Sequence, residues 1–365
     1  MKIEILRENL ERAVAIASKV SNKNLSLPVL SCVLIVASDS RAVIRATNLD
    51  LSAEATLKAK VLKEGVVAVS AQVLAQTVSA LTDQKLTLEV VGNSLVIDGE
   101  RGKTSITTVD ASEFPTLPYV KDESASASIP TRDFIATLRA VAFSASTSSV
   151  KPELASISLT FEKSELVAVA TDSFRLAEIR VPLKIKGSFS TVLIPARNIT
   201  DILRAVEHSE AVQVRVGDNQ CSFVADFGFI TSRTIDGAFP DYQAIIPKTY
   251  AASATCLKED AIRAFKKISI FTDSFNQVHI SIKPSQKTFT VRAVNASVGE
   301  TLDSIPAALE GEDIDINFNA KYITDALSTV AGDSVTFSVA GHGKPMVMMD
   351  APHHGFTYLV MPMNR

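Results

Sequence analysis

The sequence AQVLAQTVSAL at residues 71–81 returns twice along the chain, as ARNITDILRAV at 196–206 and as AKYITDALSTV at 320–330. The copies start 125 and then 124 residues apart. In each copy apolar residues recur at helical spacing, the pattern of an amphipathic helix with one buried face. Ser70 and Asn319 precede two copies as N-cap residues, and Pro195 holds the same place before the other. A repeat of this length predicts three similar structural units.

Landmarks outside these helices repeat at the same interval. The dipeptide at 114–115, Phe-Pro, returns at 239–240, and the segment 46–48 returns at 170–172 and 293–295. A second helix is predicted in each repeat, near Arg7, Thr131 and Lys258, each after a short strand. In the first repeat, residues 30–36, 42–46, 86–90 and 94–97 have the β-branched, alternating pattern of strands.

These patterns predict an α+β fold of three similar domains, each with two helices packed on antiparallel sheets. Segments 117–128 and 246–255 combine Pro, Ser and Ala without a regular period, which is typical of linkers. The predicted domains are therefore 1–122, 123–250 and 251–365.

Composition is consistent with several packed cores. The chain has 365 residues, of which 46% are hydrophobic and 21% charged, and this excludes a disordered protein. The longest uncharged stretches contain polar residues or proline, and the first residues, MKIEILRENLER, lack the apolar segment of a secretion signal. We therefore expect a cytoplasmic protein without a membrane span. Cys32, Cys221 and Cys256 lie far apart, so buried thiols are favoured over disulfides or a metal site.

Three repeats in a row leave unpaired sheet edges at both ends. The third repeat keeps the apolar character of an interior unit rather than that of a polar cap. Two chains that join head to tail would remove both edges, and we therefore predict a closed two-fold homodimer.

Charge is unevenly distributed between helices and the rest of the chain. The net charges of the six predicted helices sum to +5. Because the whole chain has a net charge of -3, the remaining residues carry -8. The helices are 7–19, 71–81, 131–142, 196–206, 258–267 and 320–330. A shared face of these helices would attract a polyanion. The alternative is that the basic residues belong to ordinary solvated helix faces.

Four segments spread over the chain carry a family resemblance: LPVL (27–30), VATDSFRLA (169–177), DGAFPDYQAIIP (236–247) and YLVMPMNR (358–365). In combination they resemble the bacterial β sliding clamp family, the processivity subunit of DNA polymerase III holoenzyme. The resemblance covers the whole chain. It implies a homodimeric ring of six domains, with helices lining the hole, that encircles double-stranded DNA and slides without reading its sequence.

The resemblance suggests DNA-facing residues. Lys23 and Arg197 match positions that resemble DNA-facing ones in the family, whereas Gln72 and Ala196 stand where relatives commonly carry a basic residue. Further candidates follow from their place on the predicted helices: Arg139, Arg204, Arg263 and Lys266.

Members of the family hold a linear peptide, often with Gln and Leu-Phe or Leu-Leu, in an apolar cleft between the second and third domains. The implied partners are the polymerase III catalytic subunit, the clamp loader, and other polymerases and repair proteins. Methionine gives such a cleft an adaptable wall, although Met361 and Met363 also fit plain core packing. Arg175 is a candidate donor to peptide carbonyls, Phe174 replaces a polar or His residue of relatives, and the tail ends Asn364-Arg365. By position the cleft residues are Leu154, Thr171, Phe174, Arg175, Leu176, Pro240, Ile245, Leu359, Val360, Met361, Pro362 and Met363.

At the dimer joint, the resemblance places the strand with Thr104 and Ile106 against the segment with Ile270, Phe271 and Phe275. Apolar residues at a free sheet edge favour an interface, because they would otherwise promote aggregation.

No catalytic pattern is evident. The five His residues form no metal-binding motif, and Gly341-His-Gly-Lys344-Pro is typical of a hairpin turn rather than a phosphate loop. Asp172 and Asp236 occupy places typical of turn formers. We predict no metal, no cofactor and no intrinsic catalysis, although the family is classed with DNA-directed DNA polymerase, a nucleotidyltransferase, because its holoenzyme is. Two alternatives remain: a clamp-fold peptide scaffold that does not load on DNA, and a hydrolase that would depend on Asp172 or His353.

Overall fold

The computed structural model describes residues 1–21, 27–38, 41–351 and 355–363. Its α-helices follow the predicted repeat, two in each third of the chain. They are α1 (Arg7–Val20), α2 (Ala71–Ala80), α3 (Thr131–Ala142), α4 (Ala196–Val206), α5 (Lys258–Ile268) and α6 (Ala320–Leu327).

The strands of the first third are β1 (Lys2–Leu6), β2 (Cys32–Ser38), β3 (Arg41–Thr47), β4 (Leu51–Leu57), β5 (Ala59–Lys63), β6 (Gly65–Ser70), β7 (Lys85–Val91), β8 (Ser94–Asp98) and β9 (Lys103–Val109). Those of the middle third are β10 (Ser126–Pro130), β11 (Ser156–Glu162), β12 (Glu165–Thr171), β13 (Arg175–Pro182), β14 (Gly187–Pro195), β15 (Ala211–Val216), β16 (Gln220–Ala225) and β17 (Gly228–Arg233). Those of the last third are β18 (Ala252–Leu257), β19 (Gln277–Lys283), β20 (Thr288–Asn295), β21 (Gly299–Ser304), β22 (Ala307–Gly311), β23 (Ile314–Asn319), β24 (Ser334–Val339), β25 (Met346–Ala351) and β26 (Phe356–Val360).

The predicted helices are confirmed at their first residues, and side-chain caps account for the starts of α2 and α6. The Ser70 hydroxyl accepts the Val73 N–H at 3.4 Å, and the Asn319 side chain accepts the Tyr322 N–H at 3.2 Å. Pro195 occupies the N-cap of α4 without a side-chain bond. The predicted strand over 30–36 begins later, at Cys32, because Pro28–Ser31 forms a turn of 3-10 helix.

The chain divides into two compact units. The first comprises Met1–Ile135 and Ile185–Thr234. Within it β1 pairs with β5 and β7, β7 leads through β8 to β9, and β2 pairs with β3 and β6. The sheet then continues from β3 through β4 into β17, β16, β15 and β10. Helix α1 packs against α2 and α4.

The second unit comprises Ala136–Lys184 and Ile235–Arg365. One of its sheets runs from β11 through β12, β13, β26, β25, β24 and β18 to β22. The other has the order β21-β20-β19-β23. Helix α5 packs on α6 and covers β20 and β21.

Two strand pairings bring consecutive repeats together. We call the antiparallel pairing of β4 with β17 the first joint and that of β13 with β26 the second joint. Each joint joins sheets of two repeats by backbone hydrogen bonds, and the middle repeat is therefore divided between the two units.

The segment 117–128, expected to be a loose linker, is packed. Val120 is only 5% exposed, and its N–H donates to the Ser222 hydroxyl at 3.0 Å. The Tyr119 ring lies 4.6 Å from that of Phe229, and its hydroxyl accepts a hydrogen bond from Arg215 at 2.8 Å. Pro, Ser and Ala content alone does not show such contacts, because the partners lie about 100 residues further along the chain.

Two smaller predictions, the buried thiols and the hairpin turn, are confirmed. Cys32, Cys221 and Cys256 are buried free thiols. The Gly341–Lys344 segment is a turn between β24 and β25, closed by the Lys344 N–H donating to the Gly341 carbonyl at 3.2 Å. None of the helices in the described ranges is long and apolar enough to cross a membrane.

Candidate functional site

The site begins with a turn between β12 and β13. The Asp172 carboxylate accepts the N–H groups of Phe174 and Arg175 at 2.9 and 3.0 Å. The Thr171 hydroxyl accepts the Ser173 N–H at 3.2 Å and donates to the Arg175 carbonyl at 2.6 Å. Ser173 has φ +81°, the left-handed conformation that such a turn requires. These bonds make the turn rigid, as expected for Asp172 as a turn former.

The same turn occurs at the first joint. Asn48 accepts the N–H groups of Asp50 and Leu51 at 3.0 and 2.7 Å. The Thr47 hydroxyl accepts the Leu49 N–H at 3.0 Å and donates to the Leu51 carbonyl at 3.1 Å. The two joints therefore share one backbone design, and differences between them come from side chains.

The sheet surface beside the turn is apolar at the second joint. Leu176 pairs with Leu359, and Leu359 pairs with Val347. All three side chains are at most 2% exposed. We call this row of side chains the apolar floor.

At the first joint the corresponding row is polar. Ser52 pairs with Thr231, and Thr231 pairs with Ser222. Their hydroxyls are hydrogen-bonded: Ser52 to Thr47 at 2.8 Å, and Ser222 to Thr231 at 2.8 Å. A polar row satisfied within the protein offers little to an apolar ligand.

Both rows are buried, but residues at equivalent places next to them differ in exposure. At the first joint Val120 lies against Ser222 and is 5% exposed. Its counterpart in the repeat, Ile245, is 48% exposed. The next residue, Ile246, packs on the apolar floor and is only half-buried, so apolar surface around the floor remains partly accessible to solvent.

Further apolar side chains surround the floor, and some of them were not predicted. Leu176, Leu359 and Met361 were expected from the resemblance. Val169 and Val347 complete the buried cluster. The alternating apolar pattern of β12 and β25 could have indicated both, but only with knowledge of which strands meet. The half-buried side chains packed on this cluster are Val167, Phe239, Tyr242, Ile246, Met349 and Met361.

Other predicted cleft residues occupy different environments. Leu154, Thr171 and Val360 are buried, Pro240 is exposed, and Pro362 is half-buried. Met363 is half-buried, and its N–H donates to the Asn317 carbonyl on β23 at 2.8 Å. Phe174 is 63% exposed, and its carbonyl accepts the Met361 N–H at 2.8 Å.

Arg175, a predicted cleft residue, forms ion pairs within the protein. Its side chain is 11% exposed, and its guanidinium donates to Asp172 and Asp325, each at 2.9 Å. It also lies over the ring of Tyr322, 4.4 Å from the centroid. Burial alone would lower the pKa of Arg175, but Tyr358 and the two carboxylates outweigh that effect and raise it. The guanidinium is thus held within the protein by two carboxylates.

A buried carboxylate supports the second joint from β13. Glu178 is 5% exposed and accepts two hydrogen bonds from Arg180, at 2.8 and 2.9 Å. Burial and the nearby Glu178 raise the pKa of Tyr242 to about 12, so its hydroxyl stays neutral beside the floor. At the first joint, Glu54 is held in the same way by Arg41 and Arg45 at 2.8 and 2.7 Å.

The predicted DNA-facing residues that the structure describes are exposed, but three of them have acidic partners. Arg197 lies 3.0 Å from Asp50, Arg204 lies 3.7 Å from Asp201, and Arg263 pairs with Asp260. Such pairs at the surface weaken but do not abolish the attraction of phosphates. Arg139 and Lys266 are also exposed. Lys23 lies outside the described residues.

The predicted dimer strand is β9, and its side chains alternate between the domain interior and the surface. Ile106 is 5% exposed and Thr104 half-buried, so both point into their own domain. The outward positions are Lys103, Ser105 and Thr107. In the described ranges this part of β9 pairs only with β8, which leaves its other edge open.

A second open edge lies on β21, which pairs only with β20 among the described strands. Leu302 at this edge is 63% exposed. Ile270 and Phe275, both predicted at the joint, are 64% and 69% exposed, and Phe271 is half-buried.

No group of three or more His, Cys, Asp or Glu side chains in the described ranges is placed to hold a metal ion. His353 lies outside those ranges.

Comparison with known proteins identifies the family. Models of the DNA polymerase III beta subunit match the N-terminal domain at residues 1–118, the central domain at 128–241 and the C-terminal domain at 243–364. The beta sliding clamp of Bacillus subtilis is 26% identical over 376 residues, which cover 99% of each chain. That of Caulobacter vibrioides is 27% identical over 374 residues, covering 100% of each. The solved sliding clamp structure from Bacillus subtilis superposes with a TM-score of 0.92 at 26% identity, covering 100% of this chain and 99% of that one. The chain therefore belongs to the DNA polymerase III beta subunit family.

Proposed function

We propose that this protein is a DNA sliding clamp: two copies close around double-stranded DNA and tether the replicative polymerase, and other replication and repair proteins, through a peptide-binding cleft at the second joint. Each copy contributes three domains, 1–122, 123–250 and 251–365. The protein acts in the cytoplasm, where bacterial chromosomal DNA lies, and performs no catalysis itself.

The contrast between the two joints is the observation that carries this proposal. The same turn and the same strand pairing occur twice. At the first joint the row is hydroxylic and Val120 is buried beside it, whereas at the second joint the floor is apolar and the apolar side chains packed on it are only half-buried. Apolar surface that remains accessible beside a rigid turn is typical of a docking site. A short peptide with apolar side chains is the ligand that this surface fits.

The open edges of β9 and β21 support closure by a second copy. Each edge offers unpaired backbone groups to an incoming strand, and an exposed edge carrying Leu302 would otherwise promote aggregation. If β9 of each copy pairs with β21 of the other, two identical interfaces form, no open edge is left on either strand, and the two copies close into a two-fold assembly. In this arrangement Thr104 and Ile106 contribute through their backbone.

The charge on the helices supports a sequence-independent DNA partner. Arg139 and Lys266 are exposed, and the arginines at 197, 204 and 263 form ion pairs with acidic neighbours. Weakened attraction of this kind favours sliding, because tight phosphate contacts would arrest movement.

A charge placed on the cleft wall tests the tethering role. We expect Met361→Glu to reduce binding of a polymerase-derived peptide by at least about 30-fold, because the carboxylate would be desolvated against the apolar floor. Fluorescence anisotropy with labelled peptide measures the affinity, and sedimentation checks that the dimer persists. The matched control Val150→Glu alters a side chain that is 85% exposed and should bind normally. Unchanged affinity of Met361→Glu would refute the cleft.

A further inference from the structure

Residues 119–123, which we call the strap, are fixed beside the first joint by one buried arginine. Arg215 lies on β15, and its side chain is 11% exposed. Its guanidinium donates to the Tyr119 hydroxyl at 2.8 Å and forms an ion pair with Glu123 at 2.6 Å. It also donates to Gln213 on its own strand at 2.7 Å. A single side chain therefore holds both ends of the strap.

The first two residues of the strap pack on the strands of the first joint. The Tyr119 ring lies 4.6 Å from that of Phe229 on β17, the strand that pairs with β4. Val120 is 5% exposed, and its N–H donates to the Ser222 hydroxyl on β16 at 3.0 Å. Gly217 leaves room for this side chain, because a Cβ there would lie 3.2 Å from Val120 Cγ2. The strap is therefore part of the packed structure of this joint.

The charge of Arg215 depends on the strap. Burying a charge costs free energy unless the charge is paired, and the loss of one partner of a buried pair leaves the other uncompensated. Within the described part of the chain Arg215 Nε has no hydrogen-bond partner, so the terminal nitrogens make the stabilising contacts. Two of these contacts go to the strap. Release of the strap would separate the buried charge from the Glu123 carboxylate, which favours the closed position.

The segment at the equivalent place beside the second joint lacks both ends of the strap. The two Phe-Pro dipeptides are 125 residues apart, and at that interval residues 244–248 correspond to the strap. Ala244 stands in place of Tyr119, and Lys248 stands in place of Glu123. Alanine has neither a hydroxyl nor a ring, and lysine repels an arginine. Neither of these side chains could be held by a guanidinium.

The arginine itself is also replaced there. Four residues before the end of β10, Ser126 pairs with Arg215. Four residues before the end of β18, Ser253 pairs with Ser338. Ser338, which is 3% exposed, therefore occupies the place of Arg215. Three positions far apart in sequence differ together between the joints, as expected if the three residues act as one unit.

We propose that the strap is a latch that locks the first joint, with Arg215 as its positioning residue, and that the corresponding segment of the second joint, which has no latch, opens locally far more often. Local opening is limited by the contacts that must be broken. Opening the strap breaks the ion pair, the hydrogen bonds of Tyr119 and Val120, and the ring contact with Phe229. This inference concerns the first joint and does not depend on the proposed peptide site.

Hydrogen–deuterium exchange of the full-length protein, followed by mass spectrometry, tests the latch. In the wild type, residues 117–124 should exchange at least about 10-fold more slowly than residues 242–249. Arg215→Ala should accelerate exchange over 117–124 by about 10-fold or more. Arg215→Lys should do nearly the same, because an ammonium cannot replace the fork of a guanidinium. The matched control Arg233→Ala, at an exposed arginine on β17, should leave this exchange unchanged.

Tryptic cleavage after Lys121 measures the same opening independently. Lys121 is exposed, but a protease cleaves a segment only when it leaves the structure that it packs on. Arg215→Ala should be cut there about 10-fold faster than the wild type.

Tyr119→Phe keeps the ring and removes only the hydroxyl that Arg215 contacts, so it tests the latch with little risk to the fold. It should accelerate exchange over 117–124 by about 3-fold, with a thermal midpoint close to that of the wild type. Equal exchange of the two segments in the wild type would overturn the difference between the joints. Unchanged exchange over 117–124 in both Arg215→Ala and Tyr119→Phe would overturn the latch.

Discussion

At the residue scale, helix caps and turns were predictable from the sequence, but contacts between residues far apart in the chain were not. Ser70 and Asn319 cap helices as their residue types indicate, and Asp172 forms a turn. The ion pair of Arg175 was not predicted, because its partner Asp325 lies 150 residues away in sequence. Caps and turns are determined by residues close in sequence. Whether a charged side chain is available to a ligand depends instead on the ion pairs that it forms in the folded protein.

Glycines at the joints were also missed. Gly228 has φ +136°, and a Cβ there would lie 2.1 Å from the Glu54 carbonyl oxygen. Gly355, just before β26 at the second joint, would meet the Arg180 carbonyl oxygen at 2.1 Å. Both strands can approach their partners only because these residues lack a side chain.

Gly228→Ala should therefore destabilise the protein by about 1–3 kcal/mol, through backbone strain and separation of β17 from β4. Differential scanning calorimetry should show a transition lowered by several degrees. Gly237→Ala is the matched control, because nothing lies within 4 Å of its Cβ position. Equal midpoints for the two variants would show that the close approach contributes nothing to stability.

At the element scale, helices were predicted accurately and strand pairing was not. The 3.6-residue period and the caps determine where a helix such as α4 begins, and both can be read locally. The partner of a strand is set by distant residues, so the continuation of β4 into β17 and of β13 into β26 emerged only from the structure. The packed segment around Val120 was missed for the same reason.

The open edge of β21 carries a prediction of its own. Leu302→Arg places a charge on a side chain that is 63% exposed at the proposed dimer joint, and its burial there should raise the dimer dissociation constant by about 10-fold or more. Sedimentation velocity over a concentration series measures this shift. Val150→Arg, a substitution at another exposed aliphatic residue, should leave the dimer unchanged. A Leu302→Arg protein that dimerises like the wild type would contradict the assignment of this edge.

At the scale of the whole molecule, the threefold repeat and the family were predictable from the sequence. Both are recognised by motifs at regular intervals along the chain, which can be read without knowing any tertiary contact. The difference between the two joints was not predictable. It lies in equivalent positions, such as Leu176 at the second joint and Ser52 at the first, and their equivalence is evident only once the strand pairing is known.

The central claim is that the protein holds DNA by surrounding it. The most direct test loads the protein onto nicked circular DNA with a clamp loader and ATP, and then cuts the circle at a single site. If two copies enclose the duplex, the protein stays on the intact circle through gel filtration in high salt and is lost from the linear product. Equal loss from circular and linear DNA would contradict enclosure and favour a peptide-binding scaffold that does not load.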